Sequence, residues 1–350
     1  MIRLKSSLMK GLIAPAITPQ SVCASLQQAI ELEHATIPPY LYALDSLDVA
    51  RNGEIAAIIQ SVVIEEMLHM TLSSNVLNAL GGAPVIDAPH FIPTYPGALP
   101  GGVESDLIVN LAPFSMTQLE TFLQIERPED PLDFRSAALA QEPTITIGEF
   151  YTAISDAIAV LGDEAFAVPP RNQIGPDLMP ESVIVTDVAT AQQAIGTIIE
   201  QGEGTSSSPE EQVGDGFAHY YRFMQIQKGR KLVKVPGATA PSDQYAYAGD
   251  PVVFDAAGVF PIATNPATPG YPTGSVQAFA NDNFNYTYTA LLGALHALFN
   301  GDTSQEQMNR SIGLMMSLKG QARAMVAGIP DPGVFTGPSF EYQPVNPRGG

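Results

Sequence analysis

Glu66 and His69 combine the two side-chain types, carboxylate and imidazole, that iron, manganese and similar ions bind in proteins. They stand three positions apart, so a helix places both side chains on one face. That face is otherwise apolar, because Ile59 and Val62 lead directly into it. A carboxylate and an imidazole on a buried face must be paired or coordinated, since an isolated buried charge is strongly unfavourable. The spacing therefore predicts a metal site or a buried ion pair.

Glu33 shows the same anomaly on the preceding segment. It lies at a core position of a helical pattern, between Ile30 and Ile37. Two neighbouring helices would then present Glu33, Glu66 and His69 to one another. One Glu from one helix and Glu-x-x-His from its partner form half of the ligand set of a di-metal carboxylate site in a helical bundle.

The second half of such a site is incomplete in the sequence. Glu200 and Glu203 are three apart and can face the same way, and His219 follows on the next predicted helix. We predict these three residues as further metal ligands, with Glu203 as a bridging or more distant acid. Gly216 stands three before His219, so Glu-x-x-His is not repeated, and Asp215 could replace the missing acid only with a shorter reach.

The same residues allow a metal-free interpretation. A single Glu-x-x-His on a helix is common, and Glu33 could pair with His69 as a buried hydrogen-bonded couple. Glu200 and Glu203, near a helix end and an acidic loop, could simply be solvated. Both interpretations stay open at this point.

The elements that must position these residues are predicted from helical periodicity. Hairpins over about 25–80 and 187–230 are separated by a long, irregular crossover over 82–185, in which two shorter helices are expected near 115–125 and 147–161. Pro38 and Pro39 should kink or restart the first helix, Asn52-Gly53 predicts the turn before the second, and the last helix of the second hairpin is expected from about 211. This order of hairpin, long crossover and hairpin is the connectivity of a ferritin-like four-helix bundle.

The remaining chain predicts an extension of the bundle. Residues 231–273 are rich in Pro, Gly and Ala and are predicted to be irregular, and helices are expected over about 278–299 and 303–327. We therefore predict an all-α fold with a ferritin-like bundle over 1–230. A C-terminal extension over 231–350 would carry the last helical hairpin, packed on the bundle.

Composition narrows the range of partners and metals. With 36 acidic and 16 basic residues, the formal charge is −20, which disfavours nucleic acid and anionic membranes as partners. Cys23 is the only cysteine, so a thiolate cluster is excluded. We expect a cytoplasmic protein that binds a small-molecule substrate, with helical faces large enough for a homodimer.

Two motifs carry a resemblance to a known family. The segments LEHATIPPYL at 32–41 and EEMLHM at 65–70 resemble motifs of the ferritin-like domain family related to iminophenyl-pyruvate dimer synthase. Later segments are similar to that family in the same order: 125–129, 200–204, 219–223, 295–301 and 337–340.

The resemblance implies a ferritin-like bundle with oxidative chemistry. The best-known relatives are synthases that couple two imine molecules derived from aromatic amino acids. We predict one or two iron ions, with manganese as the second choice, because carboxylates and imidazole suit both metals. The predicted function is a metal-dependent oxidoreductase or oxidative coupling enzyme, and the alternative is a non-catalytic metal-binding or metal-free bundle.

Overall fold

The computed structural model describes residues 6–100, 107–128, 146–203, 208–210, 216–238, 243–329 and 331–343. These residues are mostly helical, which confirms the predicted all-α class. The helices are α1 (Pro19–Asp45), α2 (Val49–Ala79), α3 (Met116–Ile125), α4 (Ile147–Leu161), α5 (Val188–Glu203), α6 (His219–Lys228), α7 (Val276–Phe299) and α8 (Gln305–Val326).

The predicted interruption at Pro38 and Pro39 does not end the first helix, because α1 continues through both prolines. Pro39 has no N–H to offer the carbonyl of Ala35. The hydroxyl of Tyr95 donates to that carbonyl instead, at 2.7 Å. A side chain from the loop after α2 thus replaces the lost backbone hydrogen bond. The buried face of α1 is therefore continuous over its full length.

Three residues separate the end of α1 from the start of α2, and the two helices form a hairpin. Its backbone leaves helical geometry at Asn52 (φ −124°, ψ 34°), next to Gly53, where the sequence predicts a turn. By length and composition α2 could cross a membrane. However, 61% of its most apolar stretch is buried within the protein, as expected for a core helix.

The crossover region contributes directly to the bundle. Helices α3 and α4 both pack against α1, while α5 and α6 both pack against α2. In addition, α4 contacts α5, and α3 contacts α6. The four shorter helices therefore pack against α1 and α2 and against one another, and the two helices predicted within the crossover, near 115–125 and 147–161, are confirmed as α3 and α4.

Two local predictions differ from the structure. The helix expected from about 211 begins only at His219; residues 216–218 are not helical, and 211–215 lie outside the described residues. The region expected to be irregular contains two antiparallel strands, β1 (Arg230–Lys234) and β2 (Tyr245–Pro251). Leu232 of β1 is buried, while the residues on either side of it are more exposed, as expected for a strand with one face toward the protein.

The C-terminal hairpin consists of α7 and α8, close to the predicted bounds. It packs on the bundle, with α7 against α2 and α8 against α1. The amide of Asn78 at the end of α2 donates to the carbonyl of Phe299 at the end of α7, at 2.7 Å. The division of the chain into domains at residue 230 stays a prediction.

Candidate metal centre

Four of the predicted ligands meet inside the bundle: Glu33 on α1, Glu66 and His69 on α2, and His219 at the start of α6. All four side chains are buried. Oε2 of Glu33 lies 3.4 Å from Nδ1 of His69, and Oε1 of Glu66 lies 3.0 Å from Nδ1 of His219. The two imidazole rings stack with their centroids 5.4 Å apart.

A further carboxylate, Glu126, joins this cluster and was not predicted as a ligand. It caps the C-terminal end of α3, and its Oε2 lies 3.4 Å from Nδ1 of His219. The position belongs to a segment that carries the family resemblance, but an acid at the end of a short helix has no specific spacing. Only the packing of α3 against α6 shows that Glu126 turns inward.

The five residues form two overlapping groups. Glu33, Glu66 and His69 have ligand atoms within 4.8 Å of one another, and so do Glu66, Glu126 and His219. Glu66 belongs to both groups, so its carboxylate would be shared if each group held a metal ion. We refer to the five residues together as the Glu/His cluster.

Each histidine is held at Nε2 so that its Nδ1 faces the cluster. Nε2 of His69 donates to Oε1 of Gln201 at 3.0 Å. The amide nitrogen of Gln201 in turn donates to the carboxylate of Glu181 at 3.0 Å, which fixes the orientation of the amide. Nε2 of His219 donates to Oε2 of Glu65, also at 3.0 Å. A histidine whose Nε2 carries the proton offers a lone pair at Nδ1 to a metal.

Glu65 is itself fixed by Arg222. The guanidinium donates to both carboxylate oxygens of Glu65, at 2.8 and 2.7 Å, in a bidentate pair. Burial raises the pKa of Glu65, but His219 and Arg222 outweigh it and lower the pKa to about 2. Glu65 is therefore ionised, and it orients His219 rather than facing the cluster.

Two tyrosines hold the outer carboxylates. The hydroxyl of Tyr151 on α4 donates to Oε1 of Glu33 at 2.5 Å, and the hydroxyl of Tyr40 on α1 donates to Oε1 of Glu126. Both tyrosines are fully buried, and burial raises the pKa of each hydroxyl. They therefore stay protonated and leave one oxygen of each carboxylate free to face the cluster.

The acids and imidazoles of the cluster shift one another's pKa values. Burial, together with the charges of Glu33 and Glu126, raises the pKa of Glu66 far above its ordinary value. Burial lowers the pKa of His219, but the carboxylates of Glu126, Glu65 and Glu66 outweigh it and raise that pKa. Burial also raises the pKa of Glu33, but His69 opposes this most strongly and lowers it to about 2.

Two atoms of the cluster are left without hydrogen bonds. Oε2 of Glu66 and Nδ1 of His219 are both buried, and neither has a hydrogen-bond partner among the described residues. Nδ1 of His219 is near two carboxylates, but its direction fits neither as a hydrogen bond. Unsatisfied buried polar atoms are uncommon in folded proteins. Three carboxylates and two imidazoles around them form a ligand set that fits two ions such as iron or manganese.

A cavity of about 40 Å³ adjoins the cluster. At roughly 10–15 Å³ per water, this volume accommodates about three water-sized molecules. Its other walls are mainly apolar and come from α4 and α5, and the exposed side chain of Arg127 also lines it. A cavity of this size and polarity suits a small molecule next to the cluster.

The remaining predicted ligands are not brought to the cluster by the described structure. Glu200 on α5 is half-buried and does not line the cavity, while its neighbour Gln201 turns inward to His69. One residue along a helix is a rotation of about 100°, which explains why these neighbours face different ways. The side chain of Glu203, and Asp215 as a whole, lie outside the described residues.

Comparisons with known proteins agree with this fold. A family model described as Ferritin-like matches residues 26–228, which include the whole Glu/His cluster. The chain is also similar to the crystal structure of a ferritin-like protein from Caulobacter vibrioides, with a TM-score of 0.63 and 23% identity. That match covers 95% of this chain and 100% of the other, and at this identity it shows the fold alone. No protein of curated function matches the chain. Because the family model covers more than half of the chain, the protein belongs to the Ferritin-like family.

Proposed function

We propose that this protein is a ferritin-like oxidoreductase that binds two iron ions, or manganese as the second choice, in the Glu/His cluster. The observation that carries the proposal is the position of Glu66, whose carboxylate belongs to both ligand groups. Glu33 and His69 would complete one metal position, and Glu126 and His219 the other. Bound in this way, a redox-active metal pair supplies the capacity to oxidise a substrate with dioxygen.

The surrounding residues have defined roles in this proposal. Gln201 and Glu65 hold the two imidazoles with Nδ1 toward the metals, and Tyr151 and Tyr40 hold the outer carboxylates. The apolar walls of α4 and α5 exclude bulk water from the cavity. Gly216 leaves the cluster without the second Glu-x-x-His acid of a full ferritin-like set, so Glu66 would be the sole bridging carboxylate from the described residues.

The substrate class is a finer proposal. The family resemblance favours a small imine or acid derived from an aromatic amino acid, and the exposed guanidinium of Arg127 at the cavity would favour an anionic group. A cavity of about 40 Å³ holds a reactant the size of dioxygen, but not an aromatic ring. An aromatic substrate would therefore require the cavity walls to move apart.

A cytoplasmic location and a homodimeric state are part of the same proposal. A free cysteine, Cys23, is compatible with a reducing compartment. Sedimentation of the purified protein would give the oligomeric state.

The experiment that tests the function is metal reconstitution followed by oxygen uptake. Protein purified without chelators is loaded with Fe(II) without oxygen and analysed for metal, and oxygen consumption is then recorded on exposure to air. We expect about two irons per chain and rapid oxygen uptake. Glu66→Gln, which keeps the side-chain shape, should lose both, whereas Glu200→Gln should retain both.

The outcomes separate the alternatives. Two irons without oxygen uptake would mean a metal-binding protein without catalysis. Equal iron content in the wild type and Glu66→Gln would overturn the proposed centre. A folded protein that takes up no metal would support the metal-free bundle.

A further inference from the structure

A second cavity, of about 270 Å³, lies between the α1–α2 hairpin and the α7–α8 hairpin. It shares no lining residue with the cavity beside the Glu/His cluster. Its walls consist almost entirely of aliphatic, methionine and aromatic side chains. Methionines are flexible and adapt to irregular apolar ligands; those in this wall are Met67, Met70, Met315 and Met316.

The cavity extends along the axes of α1 and α2. On α1 its lining runs from His34 to Asp45 along one helical face, a length of about 16 Å at 1.5 Å per residue. On α2 the lining runs from Gln60 to Met70, or about 15 Å. An extended chain molecule matches this shape better than a compact ring system does.

Two buried residues with polar side chains line the cavity. Asp45 is more than nine-tenths buried, and the charges of Arg323 and Lys319 act on its carboxyl. Nδ1 of His34 has no hydrogen-bond partner in the described part of the chain, although its Nε2 is bonded to the hydroxyl of Tyr288 at 2.7 Å. Buried polar groups of this kind are normally satisfied, by protein, water or ligand.

The Asp45 end of the cavity is rich in hydrogen-bond donors and positive charge. Nζ of Lys319 lines this end and donates to Oε1 of Gln60 at 3.2 Å. Arg323 stands one helical turn further along α8. Burial raises the pKa of Asp45 to about 7, although the charges of Arg323 and Lys319 oppose that rise. A protonated Asp45 can itself donate a hydrogen bond, so this end suits an anionic head group.

We propose that this cavity binds an unbranched aliphatic carboxylic acid. Its carboxylate would lie among Lys319, Gln60 and Asp45, and its hydrocarbon chain would extend along α1 toward His34. The cavity reaches fully buried residues such as Leu292, which a flat protein surface could not contact, and this favours a chain molecule over a second protein. The exposed apolar side chains of Ile312 and Met316 at the rim would be covered by the bound chain.

The proposal can be tested by calorimetric titration of the full-length protein with sodium dodecanoate, with dodecanol as the uncharged probe. We expect one dodecanoate per chain. Met315→Trp, which fills the cavity from a half-buried position, should weaken the binding of both probes at least about tenfold. Lys319→Met should weaken dodecanoate about tenfold and leave dodecanol nearly unchanged, while Lys228→Met, an exposed lysine on α6, should change neither.

Circular dichroism confirms that each variant is folded. Lys319→Met exchanges one long, half-buried side chain for another, so it keeps the test valid if Met315→Trp unfolds. Absence of dodecanoate binding would overturn the proposal. So would binding that none of these variants alters, or a dimer that covers this face and excludes the probe. Iron content should be the same in the wild type and both cavity variants, so this result is independent of the proposed metal centre.

Discussion

Oε1 of Glu66 lies 3.0 Å from Nδ1 of His219, while Oε2 of the same carboxylate is buried with no hydrogen-bond partner in the described structure. The neighbouring ring of His69 stacks on that of His219. A single carboxylate thus lies close to two imidazoles, each of which is held through a hydrogen bond at its Nε2. This arrangement results from the Glu-x-x-His spacing on α2 and from the residues that pack around it.

Glu126→Gln should reduce the metal content from about two ions per chain to about one. Glu126 contributes to only one of the two ligand groups, and the other group, Glu33, Glu66 and His69, stays complete. Elemental analysis after reconstitution measures the change, with Glu200→Gln as the matched control on α5. Retention of two tightly bound ions in Glu126→Gln would show that α3 does not supply a ligand.

Glu65→Gln should weaken metal binding about 10–100-fold at the position that includes His219. A carboxylate that accepts the Nε2 proton makes the imidazole a better ligand, and a neutral amide does this less well. The change also leaves Arg222 without its bidentate partner, so the free energy of unfolding should fall by about 3 kcal/mol. Competitive chelator titration and urea denaturation measure the two effects.

The control for this substitution is Glu54→Gln, also on α2, where an exposed glutamate pairs with Lys231. It should change the metal affinity by less than about twofold, because surface pairs contribute little. An equal loss of metal affinity in both variants would mean that the overall negative charge of the protein, rather than the contact of Glu65 with His219, governs metal binding.

Metal binding should release protons and should strengthen as the pH rises. Burial and the neighbouring carboxylates raise the pKa of Glu66, and the neighbouring carboxylates raise the pKa of His219, so both groups hold their protons more strongly than free side chains do. A metal requires both groups in their deprotonated forms, and binding of a metal pair should therefore release about two protons. Calorimetry in two buffers of different ionisation enthalpy measures the number released, and a value near zero would contradict the protonation states inferred here.

Asp45→Asn should make the free energy of unfolding depend less on pH between about pH 6 and about pH 8. Burial raises the pKa of Asp45 from 3.8 to about 7, so this group contributes stability at low pH that is lost as the pH rises through about 7. The wild type should lose on the order of 1 kcal/mol of unfolding free energy between about pH 6 and about pH 8 through this group, and Asp45→Asn should not. Urea denaturation at both pH values measures it. The exposed Asp156→Asn should behave as the wild type, and an identical pH dependence in Asp45→Asn would contradict the raised pKa.

Three residues of the cluster could be predicted from the sequence, because they stand at regular helical spacing. Glu33, Glu66 and His69 interrupt apolar helical stripes, and a helix of fixed periodicity determines which way such residues point. The α1–α2 and α7–α8 hairpins could be located from the sequence because their helices are long and are bounded by turn residues. The helical pattern failed to anticipate that α1 would continue through Pro38 and Pro39, since the compensating hydroxyl comes from Tyr95 in a distant loop.

The rest of the cluster depends on tertiary packing. Glu126 follows a ten-residue helix, and no local pattern shows that this helix packs against α6. On α5, Glu200 was predicted as a ligand, but the neighbouring amide of Gln201 contacts His69. Adjacent positions differ by about 100° of rotation, and Glu200 lies at the edge of the apolar stripe on α5, so the pattern does not decide which of the two residues faces inward. Strand β2 did carry an alternating signal, in Tyr245 and Tyr247, which the high Pro and Gly content of the region obscured.

Anomalous diffraction from crystals loaded with iron tests the central claim most directly. Data collected on both sides of the iron absorption edge would locate each ion without reference to activity. The account predicts two iron peaks, one on either side of the carboxylate of Glu66, with the first next to Glu33 and His69 and the second next to Glu126 and His219. Iron bound only at the protein surface, or no iron peak inside the bundle, would contradict it.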